Sequence, residues 1–145
     1  MISGIQYERE LVRLLWKRGF AALRAPASGG STQMSRPDII AGNSEKGIQL
    51  AIEVKTTNSK SLYVNRKSIE QLVDFAQRFG CQPMVAIKFK GKKKSWIFVE
   101  PQQFILTPGL NFKITFKDAQ NKGIDFKTLI REGNQTKLPS PGKNY

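Results

Sequence analysis

The chain has 145 residues, which is enough for one domain with a hydrophobic core and too few for two substantial domains. It carries 24 Lys and Arg against 11 Asp and Glu, and this net charge of +13 indicates a polyanionic partner, nucleic acid above all. The absence of histidine excludes His-based acid–base catalysis and His-ligated zinc, and the single cysteine, Cys81, excludes an internal disulfide and a cysteine zinc cluster.

The first half of the chain predicts one helix and three strands. Apolar residues recur at helical spacing over residues 5–18, and a short apolar stretch over residues 20–25 predicts a strand. Residues 27–36, rich in Ser, Gly, Thr and Gln, predict a mobile loop. Two further strands, over residues 38–41 and 48–55, are joined by a turn and predict a hairpin.

The second half predicts a second helix, a second hairpin and a short last helix. In chain order the predicted elements are a strand over 62–64, a helix over 67–79, strands over 84–89 and 96–99 around a basic turn, a strand over 112–116 and a helix over 125–131. This order favours an α/β domain with one mixed central β-sheet flanked by helices. We expect the domain to span residues 1–131.

The C-terminal tail and the absence of membrane-spanning and signal-peptide patterns complete the sequence prediction. Residues 132–145 offer almost nothing to bury, so a disordered C-terminal tail is predicted. No apolar run reaches the roughly 18 residues of a membrane span, and no signal-peptide pattern is present. We therefore expect no membrane partner and a cytoplasmic, nucleoid-associated protein.

The most informative pattern is a carboxylate on one predicted strand, with a carboxylate and an ammonium on the next. Glu53 and Lys55 project from the same strand face about 7 Å apart, and a hairpin partner can bring Asp38 beside Glu53. Carboxylates favour hard cations, so Mg²⁺ is the expected cofactor and Mn²⁺ a possible substitute. The alternative is an ordinary charged, solvated strand face.

Glu8 adds a third carboxylate. It heads the series Glu8, Leu11, Val12 and Leu15, which lies on one face of the first helix. A carboxylate in such a stripe is costly unless it is paired or bound to a metal. A metal ligand and a salt bridge with Arg9 or Arg24 both remain open. On another face, Glu10 and Arg13 predict a surface ion pair.

This set of residues suits phosphodiester hydrolysis, because divalent ions held by carboxylates activate water and offset phosphate charge. Lys55 is placed to stabilise developing charge, and Arg9, Arg24 and Arg36 to clamp a phosphate. Further basic residues for tracking a duplex are Lys60, Arg66, Lys67, Lys88, Lys90 and residues 92–94. Surface solubility is the alternative for any one of them. The stretch from Ser28 to Thr32 lacks the Gly-Lys-Ser/Thr ending of a P-loop, so no nucleotide cofactor is expected.

These residues resemble the archaeal Holliday junction resolvases of the PD-(D/E)XK nuclease superfamily. The matching segments are residues 4–11, 19–21, 24–29, 37–41, 52–55 and 72–80. The resemblance implies a restriction-endonuclease-like nuclease fold and a homodimer that nicks opposing strands of a four-way DNA junction symmetrically, in recombination and repair.

The resemblance also implies residue roles. Glu8, Asp38 and Glu53 are implied Mg²⁺ ligands, Lys55 an implied transition-state stabiliser and Ser28 part of a mobile catalytic loop. Arg9 and Arg24 match positions needed for activity or junction binding. Phe75 and Phe79 match aromatic residues of the dimer interface, although both could also be core residues. The competing interpretations are a related nuclease acting on linear or mismatched duplex, and a basic DNA-binding protein without catalysis.

Overall fold

The computed structural model describes residues 4–26, 34–91 and 96–132. Ser28, the basic residues 92–94 and the tail beyond residue 132 lie outside the described residues, so the predictions made for them stay predictions. Within the described ranges, no helix is long and apolar enough to cross a membrane.

Helices and short strands are mixed along the whole chain. The helices are α1 (Gly4–Lys17), α2 (Arg66–Phe79), α3 (Phe116–Lys122) and α4 (Phe126–Glu132). The strands are β1 (Ala21–Arg24), β2 (Ile39–Asn43), β3 (Ile48–Thr57), β4 (Ser61–Asn65), β5 (Gln82–Phe89), β6 (Ile97–Val99), β7 (Ile105–Leu106), β8 (Asn111–Thr115) and β9 (Ile124–Asp125).

The strands of the described part of the chain form two sheets, one of six strands in the order β1-β2-β3-β5-β6-β9 and one of three in the order β4-β8-β7. In the larger sheet β3 and β5 are parallel and the other neighbours are antiparallel. The parallel pair requires a crossover, which β4 and α2 supply. The predicted α/β domain with a mixed central sheet flanked by helices is confirmed.

Both faces of the central sheet are buried, and β3 shows how its side chains divide. Leu50 and Ile52 pack in one core with Leu11 and Leu15 of α1. Ala51 packs in a second core, to which α2 contributes. Because strand side chains alternate, Glu53 and Lys55 project from the α2 side of the sheet, opposite to the side covered by α1.

The two long helices begin and end within one residue of their predicted bounds, and the ends of α2 have clear local causes. The Asn65 side chain accepts a hydrogen bond from the Lys67 amide, which caps the first turn of α2. Gly80 adopts a left-handed conformation with φ 86° and returns its N–H to the Ala76 carbonyl. Gly80 is therefore required for the abrupt change of direction into β5.

The C-terminal third departs from the prediction. The strand predicted over residues 112–116 is β8, but it ends at Thr115, whose side chain caps α3 by accepting from the Asp118 amide. Phe116 is consequently the first residue of a helix that the sequence did not predict. The short strands β7 and β9 were also missed, because two residues show no periodicity. The smaller sheet was not expected either: β4 and β8 were predicted as strands, but not that they pair with each other.

Candidate active site

The β2–β3 hairpin places Asp38 opposite Glu53. Ile39 pairs with Ile52 in the antiparallel register, and the Asp38 amide donates to the Ile52 carbonyl at 2.9 Å, just beyond that pair. The Asp38 carboxylate accepts from the Val54 amide through Oδ2 at 2.8 Å. The predicted juxtaposition of these two carboxylates is therefore present, and it is fixed by backbone pairing.

Lys55 lies beside Glu53 on the same strand face, as its spacing predicts. Lys55 Nζ is 3.5 Å from Glu53 Oε2, and their side chains are 33% and 14% exposed. The ammonium is therefore close to the two carboxylates and still open to solvent on one side.

Glu8 is joined to Arg24, which settles one of the two possibilities that the sequence left open. Arg24 Nε donates to Glu8 Oε1 at 3.1 Å, with side chains 26% and 18% exposed. The salt bridge is thus present with Arg24. Arg9 lies exposed on α1.

The electrostatics of these groups show that they form one cluster. Burial above all, together with the charges on Asp38 and Glu8, raises the pKa of Glu53 to about 7 against the opposing effect of Lys55. Burial likewise raises the pKa of Asp38, the Val54 hydrogen bond lowers it, and the charge of Glu8 raises it. Lys55 and Arg24 each lower the Asp38 pKa. Three carboxylates and two cations are therefore within electrostatic reach of one another.

Whether a divalent cation fits here depends on the free donors. In residues 4–26, 34–91 and 96–132, no three Asp, Glu or Cys side chains lie close enough together to hold a metal ion. Two of the three carboxylates of the cluster are also engaged in ion pairs, Glu8 with Arg24 and Glu53 with Lys55. Asp38 and Glu53 nonetheless suit such an ion, because two desolvated carboxylates repel each other and a cation relieves that repulsion.

The other predicted DNA contacts do not lie together. Arg36 donates to the Pro26 carbonyl at 3.3 Å, which holds its guanidinium near the end of β1. Lys60 precedes β4, whereas Arg66 and Lys67 follow it, so the strand separates them by roughly 17 Å. Arg66 is also paired with Glu70 at 3.3 Å. Lys60 and the other two therefore do not form one cluster.

Glu10 has a partner that the sequence prediction missed. The expected surface pair with Arg13 is wrong, because Glu10 lies 3.1 Å from Lys88 Nζ of β5. The Lys88 side chain is only 14% exposed, and its ammonium lies 5.8 Å from the Tyr7 ring and 5.0 Å from the Trp96 ring. The available signal was a lysine that follows Met84 and Ala86 in one row of β5, on the face that packs in the core with α1.

Phe75 and Phe79 form a stacked pair on α2, with 5.4 Å between ring centroids and 15° between planes. Phe75 packs against the second core, but Phe79 is 57% exposed, so the core alternative is wrong for Phe79. The nearby Met34 is 71% exposed and lines the same cleft. Phe75 and Phe79 of α2, together with Met34, which lines the same cleft, are called the α2 aromatic face below.

Comparison with known proteins gives consistent matches over most of the chain. The family model described as archaeal Holliday junction resolvase (Hjc) matches residues 2–138. Crossover junction endodeoxyribonuclease Hjc of Methanocaldococcus jannaschii is 41% identical over 139 residues, 94% of this chain and 92% of that protein. The Archaeoglobus fulgidus protein of the same name is 45% identical over 112 residues, covering 77% and 78%.

A solved structure matches as well. The 1.6 Å resolution structure of Archaeoglobus fulgidus Hjc, a Holliday junction resolvase, aligns with a TM-score of 0.78 at 38% identity. The alignment covers 88% of this chain and 99% of that one. The restriction-endonuclease-like nuclease fold expected from the sequence is thereby supported at the level of the whole domain.

Proposed function

The chain belongs to the archaeal Holliday junction resolvase family, and from this premise we propose that it is a crossover junction endodeoxyribonuclease that cuts four-way DNA junctions by paired, symmetric nicks. The observation that carries the hydrolytic chemistry is the half-buried pair Asp38 and Glu53 with Lys55 beside it. A role in homologous recombination and repair, and a cytoplasmic location with the nucleoid, follow from such a substrate and stay predictions.

We propose Mg²⁺ as the cofactor, with Mn²⁺ as a substitute, held by Asp38 and Glu53 and completed by Glu8. When bound, such an ion offsets negative charge on the scissile phosphate and lowers the pKa of a coordinated water. The support is the excess of carboxylates in the cluster: burial first, and then the neighbouring carboxylates, raise the pKa values of Asp38 and Glu53. Glu8 would have to give up part of its contact with Arg24.

The cationic side chains have separate tasks in this proposal. Lys55, which already lies beside Glu53, stabilises charge that develops on the phosphate during cleavage. Arg24 uses one N–H on Glu8 and keeps further guanidinium donors for a phosphate oxygen. Ser28, predicted to be catalytic, and the exposed Arg9 complete the proposed set.

Contacts with the junction backbone are proposed for Arg9, Arg24, Arg36, Lys60, Arg66 and Lys67. The support is the net charge of +13 and the intermediate or full exposure of these side chains around the cluster. Because Lys60 and the Arg66–Lys67 pair are far apart, they would contact different stretches of the same junction. Such contacts release counterions, so binding should weaken steeply with salt.

A homodimer through the α2 aromatic face is proposed because a four-way junction needs two cuts. A two-fold axis through this surface would give two symmetry-related active sites. The exposed Phe79 and Met34 support the choice of surface. Leu23 is a further exposed apolar residue, 57% exposed, on the α2 side of the sheet in register with Ile40 and Ala51.

The test is cleavage of a synthetic four-way junction with mapped nick positions, beside forked and linear DNA of the same sequences. We expect paired symmetric nicks that require Mg²⁺ and stop with a chelator. Asp38→Asn, Glu53→Gln and Lys55→Ala should still bind the junction but lose cleavage by orders of magnitude, about 100-fold or more. Glu45→Gln, in the exposed turn of the same hairpin, is the matched control and should cut normally.

Three outcomes would each contradict a different part of the proposal. Preferential cutting of linear duplex would refute junction selectivity and favour the related-nuclease interpretation. Junction binding without any cation-dependent cleavage would refute catalysis and favour a basic DNA-binding protein. Unchanged cutting by Glu53→Gln would remove that residue from the ligand set.

A further inference from the structure

Asp74 is the point on α2 at which the segment leading to Asp38 touches that helix. The Ser35 hydroxyl donates to Asp74 Oδ2 at 3.0 Å, between residues 39 positions apart in the chain. Asp74 also accepts from Nε of Arg78, one helical turn further on, through Oδ1 at 3.0 Å and through Oδ2, which it shares with Ser35, at 3.2 Å. The hydrogen bonds from Arg78 and Ser35 lower the Asp74 pKa, so the carboxylate stays an acceptor near neutral pH.

Ser35 stands three residues before Asp38, and the chain between them has little freedom. The Arg36 guanidinium donates to the Pro26 carbonyl, two residues beyond the end of β1, at 3.3 Å. Pro37 is buried, and its ring restricts φ. At the far end Asp38 is hydrogen-bonded to β3 through both its amide and its carboxylate. We therefore expect a displacement of the backbone at Ser35 to be transmitted to Asp38.

The same carboxylate borders the α2 aromatic face. One cleft is lined by Met34, Ser35, Asp74, Phe75, Arg78 and Phe79. Asp74 precedes Phe75 in the chain, and Arg78 precedes Phe79, so the group that holds Ser35 lies next to both rings. A helix is a rigid element over these two turns.

We propose that Asp74 is a positioning residue for junction cleavage: through Ser35 it fixes the segment that holds Asp38 opposite Glu53. This inference rests on the proposed function and deepens it. Asp74 touches neither the phosphate nor the metal ligands and acts through Ser35. A second copy packed on the α2 aromatic face would hold the same side chain and so favour the cutting geometry in the dimer.

The simpler alternative is that Asp74 and Arg78 form an ordinary exposed ion pair at i, i+4, which contributes little to stability or to cleavage. That alternative predicts no effect of Asp74 on cleavage. The positioning role predicts a loss of rate with little change in junction affinity, because a small misplacement of a catalytic group affects the chemical step most strongly.

Cleavage kinetics distinguish the positioning role of Asp74 from an ordinary exposed ion pair. With saturating Mg²⁺, Asp74→Ala and Ser35→Ala should each lower kcat by about tenfold to a hundredfold, with KM for the junction changed by no more than about twofold. The double variant should be no slower than the slower single one, because both remove the same contact. Gln77→Ala, exposed on the same helix, is the matched control and should behave as the wild type.

Amide hydrogen exchange tests the same inference without any cleavage. Asp74→Ala and Ser35→Ala should speed exchange at the amides of Asp38 and Val54, and Gln77→Ala should leave it unchanged. If the wild type does not cut junctions, the proposed function fails and exchange alone decides the inference. Unchanged exchange at both amides in both variants would overturn the inference whatever the cleavage result.

Discussion

Glu8 of α1 and Arg24 of β1 meet in an ion pair with 3.1 Å between Oε1 and Nε, and both side chains are less than one-third exposed. Removing the arginine leaves a half-buried carboxylate next to Asp38 and Glu53 without its cation. We therefore expect Arg24→Ala to lower the free energy of unfolding by about 1–2 kcal/mol, measured by urea denaturation. Most of this loss of stability comes from leaving the Glu8 carboxylate half-buried without a cationic partner.

The control for this prediction neutralises the partner. In the double variant Glu8→Gln with Arg24→Ala no charge is stranded, so its stability should exceed that of Arg24→Ala alone. Arg13→Ala, an exposed arginine on the same helix, should change stability by less than about 0.5 kcal/mol. Equal losses in Arg24→Ala and Arg13→Ala would show that the pair contributes nothing.

The raised pKa of Glu53 predicts how stability depends on pH in the absence of divalent ions. Burial raises this pKa from 4.5 to about 7, so the folded state holds a proton that the unfolded state has already released. The resulting stabilisation is complete below pH 4.5 and is lost as pH rises through 7. The loss is at most about 3 kcal/mol, and the raised pKa of Asp38 acts in the same direction.

Urea denaturation at several pH values with a chelator checks this dependence. Glu53→Gln should flatten the profile between pH 4.5 and 7, because the amide does not titrate. Asp74 and Asp125, whose pKa values are lowered, titrate below this window and do not obscure it. A wild-type profile that is flat or rises across the window would show that Glu53 titrates normally.

The β2–β3 hairpin and the side chains that it brings together could be predicted because their signals are local. Strand alternation fixes which side chains share a face, and a short turn between two strands fixes which residues oppose each other. Asp38, Glu53 and Lys55 were found in this way. Glu8 was recognised because a carboxylate at an otherwise apolar helical position needs a partner, although the pattern left a metal ion, Arg9 and Arg24 open as that partner.

What the sequence missed depends on contacts between distant parts of the chain. Lys88 meets Glu10 because α1 crosses the face of the sheet that carries alternate residues of β5, and no local pattern encodes that crossing. Phe75 and Phe79 have the spacing of core residues and of interface residues alike, so only the exposure of Phe79 distinguishes the two. The smaller sheet was missed because the pairing of β4 with β8 joins segments about 50 residues apart, which no local pattern encodes.

The exposed ring of Phe79 predicts the oligomeric state of a variant. Phe79→Glu places a charge on the α2 aromatic face, where burial of an unpaired carboxylate in a dimer is unfavourable. We expect the mass from light scattering to fall from that of a dimer to that of a monomer, with the fold retained because Phe79 is largely outside the core. Paired nicking should then give way to slow, uncoupled nicks.

A second exposed apolar residue provides the matched control. Ile105 on β7 is 58% exposed, and Ile105→Glu makes the same change in the other sheet. It should leave the mass and the paired nicks unchanged. If instead Ile105→Glu dissociates the protein while Phe79→Glu does not, the interface lies on the smaller sheet.

Gly123 tests the packing of the C-terminal third, independently of function. It ends α3, donating its amide to the Ala119 carbonyl at 2.8 Å, directly before β9. An added Cβ would lie 2.6 Å from the Ala119 oxygen, 2.7 Å from Ile97 Cγ2 and 2.9 Å from the Phe98 oxygen. Two of these contacts are with backbone oxygens, which cannot relieve a clash by changing rotamer as a side chain can. Gly123→Ala should therefore lower the free energy of unfolding by about 2–3 kcal/mol.

The control for Gly123 is a glycine in open surroundings. At Gly109 an added Cβ would come no nearer than 3.9 Å to the Thr107 hydroxyl oxygen, so Gly109→Ala should change stability by less than about 0.5 kcal/mol. Chemical denaturation of the two variants compares crowding directly, since both add one methyl group. A Gly123→Ala variant as stable as Gly109→Ala would mean that α3 can move away from β6, and the α3–β6 contact would then not fix the edge of the central sheet.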